Sequence, residues 1–335
     1  MALPTPDYLI AFDFDGTLAD TFAKSPRGIG VNEASAKAVA DVFGEEGRRA
    51  FAVIGGLKNR APVELIDMLS SYGDETLMTE SARQYVRHHE NEFSDNVPEG
   101  KGVSLSALFH GGGVSHEVLA EVFVRRKLSI LIQEISKEWP RPMPGITDAL
   151  AAIHALSNEG TPVRLAVLSS GHELFIRKCF ETWGVPQPDI LVTDDDLRGV
   201  KYRASHEKIK PSVHLLAKLH QAWRRARGLP PDDLNLSHER TMREEGMFYM
   251  GDDIKRDGKL AMDHGVFFGW YYPTDDSAVA ALNHHLFHFN HWDELTDFLT
   301  TPGLSERLQR GEPFYALLAE MRLGLPGGEF SRRPL

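Results

Sequence analysis

Short runs of apolar residues recur along the chain, and several are followed directly by Gly, Ser or Asp. The runs are Tyr8–Phe14, Leu165–Leu168, Ile190–Val192, Met247–Met250 and Val266–Tyr271. Because they are apolar almost throughout and do not alternate with polar residues, they predict strands buried on both faces of a parallel sheet.

Between these runs, apolar residues recur with helical spacing. Ile146, Ala149, Leu150 and Ile153, for example, lie at i, i+3, i+4 and i+7. Strands that alternate with helices predict an α/β fold with a Rossmann-like, doubly wound parallel sheet.

One interval, residues 21–139, shows helical patterns but no convincing strand. We interpret it as an all-helical cap domain inserted after the first strand, with the proline-rich segment Pro140–Gly145 as a hinge. The α/β core then comprises residues 1–20 and 140–300, and residues 301–335 form a C-terminal extension with one helix near Phe314.

Three helices are predicted inside this interval. The first is capped by Asn32 and stopped by Gly44, the second starts at Pro62, and a long one runs from about His116 to Trp139.

The composition narrows the class of protein. The chain has 335 residues, of which 42% are hydrophobic and 25% charged, so a globular core can form. The net charge of -11 argues against nucleic acid or an anionic membrane as a partner. The single cysteine, Cys179, excludes an internal disulfide and fits a reducing compartment. With no signal-peptide pattern before Asp13 and no long apolar segment, we expect a cytoplasmic protein.

The strongest chemical signal is Asp13-Phe14-Asp15-Gly16-Thr17, at the end of the first predicted strand. Ligands bind at this edge of parallel sheets. Two carboxylates about 4 Å apart repel by about 4 kcal/mol at an effective dielectric near 20. A Mg²⁺ ion removes that repulsion and prefers hard oxygen ligands. Gly16 allows the chain to turn sharply away.

Three further motifs follow in order. Ser169-Ser170-Gly171 closes a predicted strand, Lys210-Pro211 precedes a predicted helix, and Gly251-Asp252-Asp253 ends another strand, with Asp257 shortly afterwards. Because the carboxyl ends of parallel strands share one edge of the sheet, we expect these motifs to meet there.

Together, the four motifs resemble those of the haloacid dehalogenase (HAD) superfamily of hydrolases. The helical insertion after the first motif is similar to the cap of its phosphoglycolate phosphatase-like branch. The resemblance implies a Mg²⁺-dependent phosphatase that acts on a small phosphomonoester through an aspartyl-phosphate intermediate.

The resemblance also implies a role for each matching residue. Asp13 corresponds to the nucleophile, Asp15 to the general acid–base, and Ser169 to a hydroxyl that binds phosphoryl oxygens, with Gly16 and Ser170 beside the substrate. Lys210 corresponds to the lysine that offsets negative charge; Lys208 competes for that role, but the Pro211 that follows favours Lys210.

The metal ligands implied by the resemblance are Asp13, the backbone carbonyl of Asp15, and Asp252. Asp253 or Asp257 completes the metal shell. The alternative interpretation makes each of these two a helix-start acid, favoured there by the helix dipole.

The cap loop Ile54–Arg60 places two glycines beside Lys58 and Arg60, which suits contact with an anionic substrate or a simple solvated turn. Lys58 also resembles the Schiff-base lysine of phosphonoacetaldehyde hydrolases, but those enzymes lack the carboxylate that Asp15 supplies here. A phosphomutase shares the core motifs and stays open. Dehalogenase chemistry is disfavoured because it uses neither Asp15 nor a metal.

A non-catalytic phosphate-binding protein would be expected to lose Asp13 or Asp15, and both are present. His172, just after the serine motif, faces either the site or the surface. The histidines His284, His285, His288 and His291 lack a metal-binding spacing and are predicted to be exposed. The substrate and the oligomeric state cannot be read from the sequence.

Overall fold

We describe a computed structural model. The residues that it describes are 7–56, 61–90, 103–110, 113–135, 139–197, 210, 212–230, 246–273, 281–283 and 286–323. The strands are β1 (Tyr8–Phe12), β2 (Val163–Leu168), β3 (Ile190–Val192), β4 (Met247–Gly251), β5 (Phe267–Tyr271), β6 (Ala281–Asn283) and β7 (Leu286–Phe289).

These strands form one sheet in the order β3-β2-β1-β4-β5-β7-β6. The neighbours from β3 to β7 are parallel, and only β6 pairs antiparallel. Leu9 and Ala11 pack on one face of β1, whereas Ile10 and Phe12 pack on the other. Side chains alternate across a strand, so both faces of the sheet are covered, and the predicted Rossmann-like α/β fold is confirmed.

The helices are α1 (Val31–Ile54), α2 (Pro62–Tyr72), α3 (Glu75–His88), α4 (His116–Ile135), α5 (Ile146–Asn158), α6 (Glu173–Trp183), α7 (Val213–Ala226), α8 (Lys259–Asp263), α9 (Asp293–Leu299), α10 (Leu304–Gln309) and α11 (Phe314–Leu323). Helices α1 to α4 lie between β1 and β2, as expected for a helical insertion. The exact boundaries of the cap stay a prediction. No helix in the described ranges is both long and apolar enough to cross a membrane.

Helix α1 differs from its prediction at both ends. Its N-cap is Gly30 rather than Asn32, and the helix continues beyond Gly44. Gly44 still interrupts the helical geometry, with φ of 64°, and therefore marks a kink instead of a stop.

The C-terminal segment holds two helices, α10 and α11, where one was predicted. Phe314 packs 5.4 Å from Phe248 between ring centroids, and Tyr315 stacks on Phe267 at 3.8 Å. The Tyr8 hydroxyl donates to the carbonyl of Glu312 at 2.8 Å. This segment therefore packs on the sheet itself.

Strands β6 and β7 were missed, and the histidine prediction was wrong for His288. Its side chain is buried on β7, and its Nε2 lies 2.9 Å from the carbonyl oxygen of Tyr272. Strand β7 was not predicted because the sequence around it is polar. Its burial depends on pairing with β5, which the local sequence does not reveal. His291 is exposed, while His284 and His285 lie outside the described residues.

Candidate active site

The parallel register brings three motifs to the same level of the sheet. Phe12 of β1 pairs with Val167 of β2 and with Met250 of β4. The residue that follows, Asp13, donates its backbone N–H to the Met250 carbonyl at 2.7 Å. Asp13 therefore leaves the sheet beside the loops that begin at Ser169 and Asp252.

The side chain of Lys210 forms hydrogen bonds with several residues of this site. Its ammonium donates to the Asp13 carboxylate, to Asp257 Oδ1 at 2.7 Å and to the Tyr249 hydroxyl at 2.9 Å. The lysine is only 3% exposed, and Asp13 is 6% exposed. A buried ammonium needs such partners because desolvation penalises its charge. Lys208, the competing candidate, lies outside the described residues.

Three carboxylates converge where a cation would bind. Oxygen atoms of Asp13, Asp252 and Asp257 all lie within 4.8 Å of one another. Opposite ligands of one Mg²⁺ are roughly 4 Å apart at metal–oxygen distances near 2.0–2.1 Å. The set therefore offers hard oxygen donors with nearly the required spacing.

Asp257 joins this cluster and Asp253 does not. Asp253 is the N-cap of a short π-helical turn, Ile254–Gly258, and Asp257 lies within that turn. Asp253 Oδ1 accepts the backbone N–H groups of Lys255 and Arg256 at 2.9 and 3.1 Å. These are helix-start contacts, which agree with the alternative interpretation of Asp253 as a helix-start acid. A direct metal contact from Asp253, or from the Asp15 carbonyl, stays a prediction.

Burial and mutual repulsion disfavour the ionised forms of the carboxylates in this cluster. Burial, followed by the nearby Asp257, raises the pKa of Asp13 well above its usual range. The same two causes raise the pKa of Asp252 to about 6. Burial opposes the charge of Lys210, but Asp13 and Asp257 outweigh it and raise the lysine pKa. One lysine does not neutralise three carboxylates, so a bound cation fits this donor set.

Two glycines make room for the acidic cluster. A Cβ added to Gly16, whose φ is +78°, would lie 2.5 Å from Asp252 Oδ2. A Cβ added to Gly251 would lie 2.7 Å from the Cβ, Cγ and Oδ2 atoms of Asp257. Both distances are shorter than van der Waals contact allows, so a side chain at either position would displace a candidate metal ligand.

The serine loop lies on the other side of β1. Ser169 is buried, and its Oγ accepts the Gly171 N–H at 2.9 Å. Ser170 Oγ is also buried and has no hydrogen-bond partner among the described residues. An unsatisfied hydroxyl at this position suits a ligand with oxygen acceptors.

Asp15 leans toward this serine loop. A Cβ built on Gly171 would lie 3.9 Å from Asp15 Oδ2 and 3.1 Å from Ser169 Oγ. Asp15 is thus placed on the β2 side of Asp13, while the carboxylates of Asp252 and Asp257 lie on the β4 side. The predicted substrate contacts Lys58 and Arg60 lie outside the described residues.

Four residues near the site were given no role in the sequence analysis, namely Thr17, Asp195, Tyr249 and Trp270. Tyr249 on β4 donates to Asp257 Oδ1 at 2.8 Å, and the Thr17 hydroxyl donates to Asp252 Oδ1 at 3.3 Å. The Trp270 indole N–H donates to the Asp252 carbonyl at 2.9 Å. His172, which is buried, lies 3.1 Å through Nδ1 from Oδ1 of the missed Asp195. A buried tyrosine requires a hydroxyl partner, which is the one signal the sequence offered.

No protein-family model and no curated protein matches the sequence. Similar solved structures include a HAD phosphatase from Thermococcus onnurineus, with 13% identity, coverage of 88% of this chain and 98% of that one, and a TM-score of 0.40. CbbY from Rhodobacter sphaeroides in complex with phosphate has 15% identity, coverage of 86% and 96%, and a TM-score of 0.40. A 2-haloacid dehalogenase from Pseudomonas syringae pv. Tomato DC3000 has 15% identity, coverage of 87% and 97%, and a TM-score of 0.40. Such distant likenesses do not decide between activities.

Proposed function

We propose that the chain is a HAD-type, Mg²⁺-dependent phosphoric monoester hydrolase, related to the phosphoglycolate phosphatase-like branch. The observation that carries the proposal is the convergence of Asp13, Asp252 and Asp257 within 4.8 Å of one another, with Lys210 bound to two of them. Positioning and positive charge are the main requirements of phosphoryl transfer.

In the proposed first step, an Asp13 carboxylate oxygen attacks phosphorus and the bond to the leaving oxygen breaks. Asp15 donates its proton to that oxygen, so an alcohol departs and an aspartyl phosphate remains. Splitting one displacement into two lowers each barrier.

In the second step, the Asp15 carboxylate takes a proton from water, and the water oxygen attacks phosphorus. The bond to Asp13 breaks, which releases inorganic phosphate and restores the enzyme. A positioned acid–base group of this kind contributes about 10²–10⁴-fold.

Lys210 offsets charge on Asp13 and on the phosphoryl group, and Ser169 and Ser170 supply hydroxyls to its oxygens. Asp13, Asp252 and Asp257 would hold Mg²⁺. When bound, the ion supplies charge stabilisation between the carboxylates and the phosphoryl oxygens. The buried, repelling carboxylates support this assignment.

The test is release of phosphate from a panel of phosphomonoesters in the presence of Mg²⁺. We expect Asp13→Asn and a chelator each to abolish turnover, the first by about 10⁴-fold or more. Asp263→Asn, which removes an exposed carboxylate on α8, is the matched control and should keep wild-type rates. Full turnover by Asp13→Asn would refute covalent catalysis.

Two other reactions use similar core motifs. A phosphonoacetaldehyde hydrolase-like enzyme would cleave a carbon–phosphorus bond and need Lys58, and a phosphomutase would return phosphate to a sugar. Including phosphonoacetaldehyde and a hexose phosphate in the panel separates them by product. Binding of phosphate esters without turnover would instead indicate a non-catalytic protein.

A further inference from the structure

Tyr249 places its hydroxyl group between the buried lysine of the site and one of the carboxylates. The hydroxyl accepts from Lys210 Nζ at 2.9 Å and donates to Asp257 Oδ1 at 2.8 Å. Lys210 also donates directly to Asp257 Oδ1 at 2.7 Å. The three side chains therefore form a closed triangle of hydrogen bonds, and all three residues are buried.

The chemistry of a hydroxyl suits it to this position. An ammonium only donates hydrogen bonds and an ionised carboxylate only accepts them, whereas a hydroxyl does both. Tyr249 thus contacts both charged groups and adds no further charge to a site that already holds three carboxylates. It also completes the shell of Lys210, whose three N–H bonds have close acceptors on Asp13, Asp257 and Tyr249. The Leu168 carbonyl lies farther from Nζ, at 3.3 Å.

The sheet fixes the position of this hydroxyl. Tyr249 lies on β4 between Ala11 of β1 and Phe268 of β5, and its ring is fully buried among apolar side chains on one face of the sheet. Asp257, by contrast, lies in the short π-helical turn Ile254–Gly258. A hydrogen bond from the sheet to this turn therefore restrains the orientation of the Asp257 carboxylate.

The triangle also divides the work of the two oxygens of Asp257. Both hydrogen bonds that reach this carboxylate from the described residues, those of Lys210 and Tyr249, end on Oδ1. Since each carboxylate oxygen has about two lone-pair sites, two donors use the capacity of Oδ1. Oδ2 is then the oxygen that can bind a cation together with Asp13 and Asp252.

We propose that Tyr249 is a positioning residue that orients Asp257, so that Oδ1 holds Lys210 and Oδ2 is kept for the cation. The inference rests on the proposed Mg²⁺-dependent function and adds to it a residue outside the four sequence motifs.

The test is the affinity for Mg²⁺ in the absence of substrate, measured as the rise in melting temperature with Mg²⁺ concentration. Tyr249→Phe removes the hydroxyl and keeps the ring that packs in the core. We expect its affinity for Mg²⁺ to be about 10–100-fold lower than that of the wild type, the usual effect of removing a group that orients a metal ligand. The melting temperature without Mg²⁺ shows that the variant is folded.

Tyr8→Phe is the matched control. It removes another buried tyrosine hydroxyl, which donates to the Glu312 carbonyl at 2.8 Å from the end of β1 opposite Asp13. This variant loses a structural hydrogen bond in the same way, but it should bind Mg²⁺ as the wild type does.

A double-mutant cycle shows whether Tyr249 acts through Asp257. In an Asp257→Asn background, Tyr249→Phe should change the affinity for Mg²⁺ by less than about threefold, because the carboxylate that it orients is already gone. A loss of 10–100-fold in that background as well would show another route and overturn the assignment.

Two further outcomes separate this inference from the proposed function. Wild-type affinity in Tyr249→Phe, or an equal loss in Tyr8→Phe, would overturn the role of Tyr249 and leave the proposed phosphatase function intact. A wild-type protein whose melting temperature does not respond to Mg²⁺ would refute the cation site, and with it both the proposed function and this inference.

Discussion

Lys210 and Arg307 are surrounded by carboxylates in nearly the same way, but in opposite environments. Lys210 lies 2.7 Å from Asp257, and Arg307 lies 2.7 Å from Glu312 and 2.8 Å from Glu320. The Lys210 side chain is 3% exposed, whereas that of Arg307 is 34% exposed.

The difference shows what burial does to a charge cluster. Around Arg307, water solvates every group, so the ion pairs are worth about 0–1 kcal/mol. Around Lys210, burial and then the poorly screened repulsion from Asp257 raise the pKa of Asp252 to about 6. A buried ion-pair cluster is weak evidence for stability, which is consistent with the function that we propose for it.

The largest expected effect that separates the two clusters is on turnover. Lys210→Met keeps the volume and removes the charge, and we expect kcat to fall by about 10²–10³-fold. Lys178→Met, at an exposed ion pair on α6, should leave kcat unchanged. Comparable rates for both variants in a phosphate-release assay would contradict the role of Lys210.

The next effect concerns metal affinity. Gly251→Ala places a methyl group 2.7 Å from Asp257, and displacing a group that supports a metal lowers affinity by about 10–100-fold. Titration calorimetry with Mg²⁺ would measure it. Gly113→Ala, where an added Cβ meets no heavy atom within 4 Å, should bind as the wild type does.

A smaller effect is the pH dependence of stability without metal. Asp252 has a folded-state pKa of about 6, above its usual value near 3.9, so the folded state binds more protons. Stability should therefore fall as pH rises between these values and stay low above pH 6. In the presence of a chelator, the melting temperature of Asp252→Asn should be higher than that of the wild type. The difference between the two should increase as pH rises over this interval. A constant difference would show that Asp252 titrates normally.

The smallest effect belongs to the exposed cluster. Hydrogen bonds from Arg307 lower the pKa of Glu312, so the contribution of Glu312 is present above its usual pKa and lost as pH falls through the lowered value. Arg307→Met should cost about 0–1 kcal/mol at neutral pH and nothing in strong acid, with kcat/KM unchanged. Chemical denaturation at two pH values would measure this change in the free energy of unfolding. A loss of several kcal/mol would mean that water screens the contact between Arg307 and Glu312 less than we expect.

Much of the fold could be predicted from local motifs. The convergence of the motifs could be predicted from the rule that parallel strands end at one edge of the sheet. Asp13 and Asp252 each follow an apolar run, and parallel strands end at one edge. The choice between Asp253 and Asp257 could not be made, because it depends on the π-helical turn that returns Asp257 to Lys210. Tyr249 was hidden for a similar reason: its polar role is defined by partners distant in sequence.

The hydrogen bond from Trp270 to the carbonyl of Asp252 couples an indole directly to the loop that carries the acidic cluster. If the proposed cation shifts that loop, the electric field at the ring changes with it, and so does the emission of this indole. Trp270, one of five tryptophans in the chain, would then report occupancy of the proposed site, and Trp270→Phe would remove that part of the signal.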